Sequence, residues 1–340
     1  MKIPRSGILA AGNWICDHVK AIDAWPDQDG LAHILDQTVG NGGGPYNLLK
    51  DLARLGAPFP LAGIGLLGDD EDGRLILADC GEHNIDATQL RTTSGASTGF
   101  TDVMAVRATG RRTFFYNPGA NSRLGPEHFE FGGTRAKIFY LGYLLLLEGL
   151  DGAGADGAPR ARDVFRRARE AGLRTSLDCV SAAGDRFRKT VTPVLPEVDL
   201  LFANDYEAEQ LSGISVGRGA ALDRGAVEAA ARALIGLGVR ERAIVHFPEG
   251  ACACSASGEI AWQPAVRVPP AMVAGSVGAG DAFAAGALFG EHEGWPVADS
   301  LELGVCAAAT SLLHATSSQG VRSSKDCLAF GRLLGCAKLP

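Results

Sequence analysis

The stretch GSVGAGDAFAAG, residues 275 to 286, sets glycines and one carboxylate at the mouth of an expected helix. A helix start offers unpaired N–H groups and the positive end of a dipole, and glycine lets an anion such as phosphate approach the backbone closely. Asp281 would repel that phosphate unless it takes a proton from whatever attacks it. The helix start at Gly278, Ala279 and Gly280 could thus receive an anion, and the rest of the chain must decide whether Asp281 contradicts that or serves it as a base.

Three other places carry polar groups at positions where a ligand could sit. In VGNGGGPYN, Gly42 and Gly43 lead into a helix with Asn47 on its first turn. The glycines let a ligand touch backbone and the amide can pair with a polyol, although a turn needing positive φ would read the same way. Asn13 and Asp17 follow the first strand's carboxyl end, the edge where open α/β sheets place ligands. NDYE, residues 204 to 207, opens a helix with Asn204 and Glu207 three apart, which reads as a capping box or as a water-mediated magnesium site. Two apparent motifs are decoys. GIGLLG (63 to 68) spells a dinucleotide fingerprint, but Asp69, Asp70, Glu71 and Asp72 crowd the helix start that a pyrophosphate would need, so a tight turn capped by acids is expected. G-x-S-x-G at 95 to 99 and 213 to 217 lacks a strand-to-helix elbow, and no P-loop sequence occurs.

Short apolar runs alternating with helical periods must position these groups, the pattern of a mostly parallel sheet with crossover helices. Strands are expected at 8 to 13, 60 to 65, 136 to 141, 174 to 179, 198 to 203 and 242 to 247. Helices are expected at 45 to 55, 71 to 80, 160 to 171, 206 to 211, 224 to 237, 279 to 290 and 299 to 314. Residues 19 to 40 and 98 to 116 instead alternate apolar and polar side chains, the second turning at ATGR (108 to 111). Both read as antiparallel strands outside the main sheet, forming a β lid over 17–41 and 98–116 against a core of 1–16, 42–97 and 117–340.

A chain of 340 residues with 46% hydrophobic and 21% charged residues is globular. A net charge of -7 without a basic stripe argues against nucleic acid as a partner. The apolar run from Ile138 to Leu147 is too short for a bilayer and the first residues lack a signal-peptide pattern, so no membrane partner and a cytoplasmic location are expected. The eight cysteines show no zinc-ligand spacing and read as reduced, buried thiols.

Together, in this order, the motifs resemble those of the ribokinase-type (PfkB) carbohydrate kinases over nearly the whole chain. GGGPYN resembles that family's N-terminal glycine signature, GSVGAGDAFAAG its C-terminal one, NDYE its N-x-x-E motif, and NPGAN (117 to 121) a segment following the lid. The resemblance implies an α/β, ribokinase-like, Rossmann-type three-layer core with a small β lid. It also implies transfer of a phosphoryl group from ATP, with Mg2+, to a hydroxymethyl group of a sugar. By that resemblance Asp281 is the base, and Asn13, Asp17, Gly42, Gly43 and Asn47 hold the sugar. Asn204, Glu207, His246, Pro248, Gly250, Ser276, Gly278 and Gly280 face the nucleotide, with Asn204 and Glu207 reaching magnesium through water. Adenine is expected between the GAGD helix and the one ending near His314. Gly275 stands where relatives often carry a cation-associated aspartate, which puts potassium activation in doubt. The sugar is left open among lid residues His18, Asp36, Arg107, Arg111 and Arg112. A nucleoside kinase and a non-catalytic sugar-binding regulator are the alternatives. Open lid edges with one apolar face predict a homodimer through the lid.

Overall fold

The computed structural model describes residues 4–182 and 185–339; residues 1–3, 183–184 and 340 of the expected core segments lie outside it. Strand β1 (Ile8–Gly12) is buried along its whole length, as a central parallel strand must be. The chain then leaves the core as a hairpin of β2 (Ile15–Ile22) and β3 (Ile34–Gly42). It returns as α1 (Gly44–Leu55), which has Pro45 in its first turn and left-handed Gly56 closing its end.

Strand β4 (Leu61–Gly68) contains the whole GIGLLG sequence, so the tight turn expected there is not formed. Its glycines serve packing: a Cβ on Gly63 or Gly65 would lie 2.6 or 2.3 Å from the buried Trp14 indole. The acidic cap does form, because the Asp70 side chain accepts from the Gly73 amide to open α2 (Glu71–Glu82). Next come β5 (Ile85–Thr93), β6 (Gly99–Val106) and β7 (Arg112–Asn117). The turn between the last two closes with Gly110 at φ 66° donating to the Val106 carbonyl, as ATGR predicts.

The second half supplies β8 (Ile138–Leu144), the short α3 (Glu148–Asp151), α4 (Ala161–Glu170), β9 (Arg174–Cys179) and β10 (Leu200–Asn204). It continues through α5 (Asp205–Ser212), α6 (Arg224–Gly236), β11 (Arg242–Phe247), β12 (Gly250–Ser255) and β13 (Ile260–Pro264). It closes with α7 (Ala279–Glu293), α8 (Val297–Ser311) and α9 (Ser324–Leu334). The main sheet has the order β13-β12-β11-β10-β9-β8-β1-β4-β5, parallel from β11 through β5, with β12 and β13 antiparallel at one edge. One apolar core lies on each face, the first around Phe139, Phe165 and Leu201, the second around Trp14, Leu49 and Phe283.

The lid is a separate sheet of order β3-β2-β6-β7. Each hairpin is antiparallel, as its alternation predicts, but β2 and β6 run parallel where they meet. Both strands leave the core beside the carboxyl ends of parallel strands, so they start side by side and point the same way. Against the expected lid bounds, β2 begins two residues earlier, β3 and β7 each end one residue later, and β6 begins one residue inside.

Candidate active site

The chain continues from β1 to β4 and β5 on one side, and β8 to β11 lie on the other. The crevice of this sheet therefore opens at the carboxyl ends of β1 and β8. Asn13 sits at that point. Its backbone N–H donates to the Gly142 carbonyl (3.2 Å), its Oδ1 accepts from the Tyr143 amide (2.9 Å), and its buried Nδ2 has no acceptor among the described residues. Asp17 lies two residues into β2, 9% exposed. The paired glycines before α1 make the approach possible: a Cβ on Gly43 (φ 84°) would meet the Asn13 carbonyl at 2.1 Å, and one on Gly42 would meet Asp17 Oδ1 at 2.5 Å. Turn geometry and close approach are thus both required here.

Asp281 stands in the first turn of α7, 5% exposed, with both oxygens held. Asn47 donates its Nδ2 to Oδ2 (2.8 Å), and the Tyr143 hydroxyl donates to Oδ1. Asn47 is oriented in turn by Asn41, whose amide gives one hydrogen to Asn47 Oδ1 (2.6 Å) and one to Ser318 Oγ (2.8 Å). Burial raises the Asp281 carboxyl to about 6, against the lowering effect of its Tyr143 and Asn47 donors. Burial likewise takes Asp17 up to about 7, with the Thr101 hydroxyl and the Arg112 charge opposing it. Beside Asp281 the backbone amides of Ser276, Val277, Gly278, Gly280 and Asp281 donate to no other backbone group among the described residues. Left-handed Gly278 (φ 76°) makes the bend, where a Cβ would strike the Ser317 backbone carbonyl at 2.8 Å. A polar carboxylate beside a row of free amides can accept a proton from a hydroxyl while the amides hold an anion.

Asn204 and Glu207 form the capping box of α5: Asn204 Oδ1 accepts from the Glu207 amide and Glu207 Oε2 from the Asn204 amide, both at 2.9 Å. They also face a cleft of about 260 Å³ lined by Tyr143, Asp178, Ser181 and the turn from Gly278 to Asp281. Ser181 Oγ donates to Glu207 Oε1 (3.0 Å) and the Tyr140 hydroxyl to Asp178 (3.1 Å). Burial raises Glu207 to about 7 and Asp178 well above the usual carboxylate range, and the nearby Asp281 charge raises both further. Three acids and an amide around one cleft suit a hydrated divalent cation, which would return them to the charged form. Among the described residues, only Asp79, Glu82 and His83 bring ligand atoms close enough for direct chelation. Those residues lie elsewhere, with Asp79 engaged by Lys50 and Tyr46, so the cleft acids suit contact through water.

A second cavity of about 340 Å³ adjoins this cleft, walled by His246, Phe247, Pro248, Gly250, Val266, Phe283, Val305, Ala308, Ala309 and Leu312, with Asn204, Ser276 and Gly280 at its polar mouth. It lies between α7 and α8, the space expected for adenine. Burial alone takes His246 down to about 4, which leaves its ring neutral against Phe283 (centroids 5.2 Å apart).

The profile of the pfkB family carbohydrate kinases matches residues 12–323. The chain belongs to that family. An ATP-dependent ribose-1-phosphate kinase of Halopiger xanaduensis is 29% identical over 204 residues, 60% of this chain and 63% of the relative, so less than two thirds of that relative is matched. The ribokinase of Thermotoga maritima has the same fold, with TM-score 0.78, 20% identity, and coverage of 96% of this chain and 99% of its own. A ribokinase of Arabidopsis thaliana solved with ribose and ATP gives TM-score 0.78 at 19% identity, covering 97% and 99%. No helix among the described residues is long and apolar enough to cross a membrane.

Within this family member, the site residues expected from the sequence converge on one crevice: Asn13, Asp17, Gly42, Gly43 and Asn47 on one flank, Asn204 to Gly250 on the other, Asp281 between. Sequence reasoning missed Tyr143, Asn41 and Asp178. Of the lid residues, Asp36, Arg107 and Arg111 are exposed, and His18 is turned to Asp72 (3.0 Å). Arg112 alone of the five lines the cavity that contains Asp17.

Proposed function

We propose that this chain transfers the γ-phosphoryl group of ATP to a hydroxymethyl group of a sugar. The observation that carries the reading is the place of Asp281: both oxygens are oriented by neutral donors at the junction of a polar pocket and a nucleotide-sized cavity, beside free helix amides. The acceptor hydroxyl gives its proton to Asp281, while Asp17, Asn13 and Asn47 orient the remaining hydroxyls. The amides of Gly278, Gly280 and Asp281 hold the charge on the transferred group, which is catalysis by positioning and electrostatics; the Ala279 amide is turned instead to the Ser276 carbonyl (3.4 Å). Magnesium, when bound, neutralises phosphate charge; Glu207, Asn204 and Asp178 are the residues that would meet its water shell. The apolar walls between α7 and α8 take the adenine. The lid sheet covers the acceptor and excludes water that would otherwise attack ATP.

The test is a panel of pentoses, hexoses, sugar acids, sugar phosphates and nucleosides with Mg-ATP, scored by ADP release. Saturable turnover with a sugar supports the reading, and turnover confined to nucleosides replaces it with a nucleoside kinase. A sugar that raises the melting temperature without turnover identifies a binding protein. The lid also leaves Trp25, Leu31, Ile34, Leu35, Val39, Phe114 and Phe115 exposed. Phe115, stacked on Trp25 (centroids 6.3 Å apart), lies on the face of the lid away from the cleft that Phe114 lines, and that outer face suits a second lid, with a homodimer in sedimentation as the expected state. Seven of the eight free cysteines are buried, which suits a reducing, cytoplasmic compartment.

A further inference from the structure

Arg112 opens β7, paired with Ala105 of β6, and sends its side chain under the lid. It lines the small cavity that holds Asp17, Asn41, Val103 and Val277, and also the adjoining cleft of about 350 Å³ along residues 273 to 277. Its Nη2 lies 2.6 Å from where a Cβ on Gly275 would stand, so the guanidinium occupies the space that a side chain at 275 would take. It is half-buried, yet no hydrogen bond or ion pair to it exists among the described residues; Asp17 acts on it only through charge. The other part-buried arginines among the described residues each have at least one acceptor. Arg174 holds Glu291 and Glu241, Arg167 caps the Pro126 and Phe129 carbonyls, and Arg5 caps those of Thr134, Ala136 and Ala171. Five fixed donors removed from much of the solvent with nothing to receive them are costly unless a ligand supplies the acceptor. The Ser276 and Val277 amides, free of any backbone partner, face the same cleft.

We propose that Arg112, with the amides of Ser276 and Val277, binds an anionic substituent on the acceptor, so that the preferred substrate is a sugar carrying a phosphate or a carboxylate. The inference rests on the sugar-kinase reading and narrows it. A planar guanidinium takes either anion in bidentate form, and Asp17 across the same cavity takes hydroxyls but repels a second charge. The acceptor is thus fixed by one anion at the lid and by hydroxyls at the core.

The experiment compares each neutral pentose and hexose with its monophosphate and with its aldonic or uronic acid, under Mg-ATP, for the wild type, Arg112→Gln and Arg112→Lys. The wild type is expected to favour one anionic class over its neutral parent by at least ~10-fold in kcat/KM, which also distinguishes phosphate from carboxylate. Arg112→Gln should abolish that preference through KM, and Arg112→Lys should keep part of it. A wild type that prefers neutral sugars, or a preference unchanged in Arg112→Gln, overturns the inference and leaves the sugar-kinase reading standing. A uniform fall in kcat for every acceptor also overturns it, because Arg112 would then serve the transferred phosphoryl group. If no acceptor turns over, the kinase reading fails separately. Thermal shift then decides the anion site: a sugar phosphate or sugar acid must raise the melting temperature of the wild type and not of Arg112→Gln, and equal shifts overturn it.

Discussion

The two flanks of the crevice are built on opposite principles. On the side of the proposed acceptor, Asn13, Asn41 and Asn47 are polar, buried and tied to one another, to half-buried Tyr143 or to Asp281, with Asp17 buried beside them. On the nucleotide side, the walls are Val266, Phe283, Val305, Ala308 and Leu312, with hydrogen-bonding groups confined to the mouth. A buried polar group left unpaired costs on the order of 1–3 kcal/mol, so a network of them rejects any ligand that fails to replace each bond. Apolar walls accept whatever flat body fills them and add affinity in proportion to area. In the proposed reaction the polar flank therefore sets which molecule reacts, and the apolar flank sets how tightly its partner is held.

The largest test of that contrast is Asp281→Asn, which keeps size and hydrogen-bonding shape and removes the base. kcat should fall by at least ~10²-fold. Nucleotide affinity, measured by calorimetry, should hold or improve because a negative charge beside the phosphates is gone. A near wild-type rate would remove Asp281 from its role. An equal loss of nucleotide binding would show that the two flanks are not separable.

The next effect is set by pH. With Asp281 at about 6 and Asp17 at about 7, both raised by burial, the working forms are the ionised ones. kcat/KM for the acceptor should be level above both values and fall as pH drops through 7 and then 6, losing at least ~10-fold between pH 8 and pH 5. Tyr143→Phe removes a donor that stabilises the Asp281 carboxylate, so the Asp281 limb should move to higher pH; an unmoved limb would separate Tyr143 from the base. His246, neutral down to about 4, adds no change in this range.

On the other flank, Ala308→Trp fills the apolar cavity between α7 and α8. The KM for ATP should rise by roughly 10-fold, with the acceptor KM within a factor of about 2, since the substitution touches neither Asp281 nor the lid. An acceptor KM that moves with it would mean the cavity is not the nucleotide's.

The sequence makes the two flanks unequally legible. Asp281, Asn47 and Asn204 were readable because glycine or capping patterns mark helix starts, and a helix start has a fixed geometry. Tyr143 was not, because it lies inside the apolar run from Ile138 to Leu147 and looks like core until β8 is paired with β1. Asp178 lies one residue before the end of β9 among buried neighbours, its direction fixed only by the parallel strands beside it. Strands β12 and β13 are not marked in the sequence because GACACS and IAWQP lack clear alternation and have Ile260 as their single β-branched residue, and edge strand β5 buries only Ile85 and Leu90. Arg112 could be named from the sequence, but not which way it faces. Successive lid side chains point to opposite faces, so its direction depends on the register of Arg112 against Ala105, a long-range fact.

The smallest expected effect concerns the boundary between the flanks, at Gly275. The family resemblance leads one to expect a carboxylate there that helps hold a monovalent cation. Here the space beside Gly275 is occupied by the Arg112 guanidinium, with the His314 carbonyl 3.2 Å from where a Cβ would stand. A fixed positive charge beside the loop repels a mobile cation, and the missing carboxylate removes the charge that would attract one. Replacing potassium by sodium or an organic cation at constant ionic strength should therefore change kcat by less than about 2-fold. Gly275→Asp should not create potassium dependence, because the new carboxylate meets Arg112 first, and its effect should be a weaker hold on an anionic acceptor. Saturable activation of the wild type by potassium would show that loop carbonyls alone complete a cation site, and that Arg112 withdraws from Gly275 when the site fills.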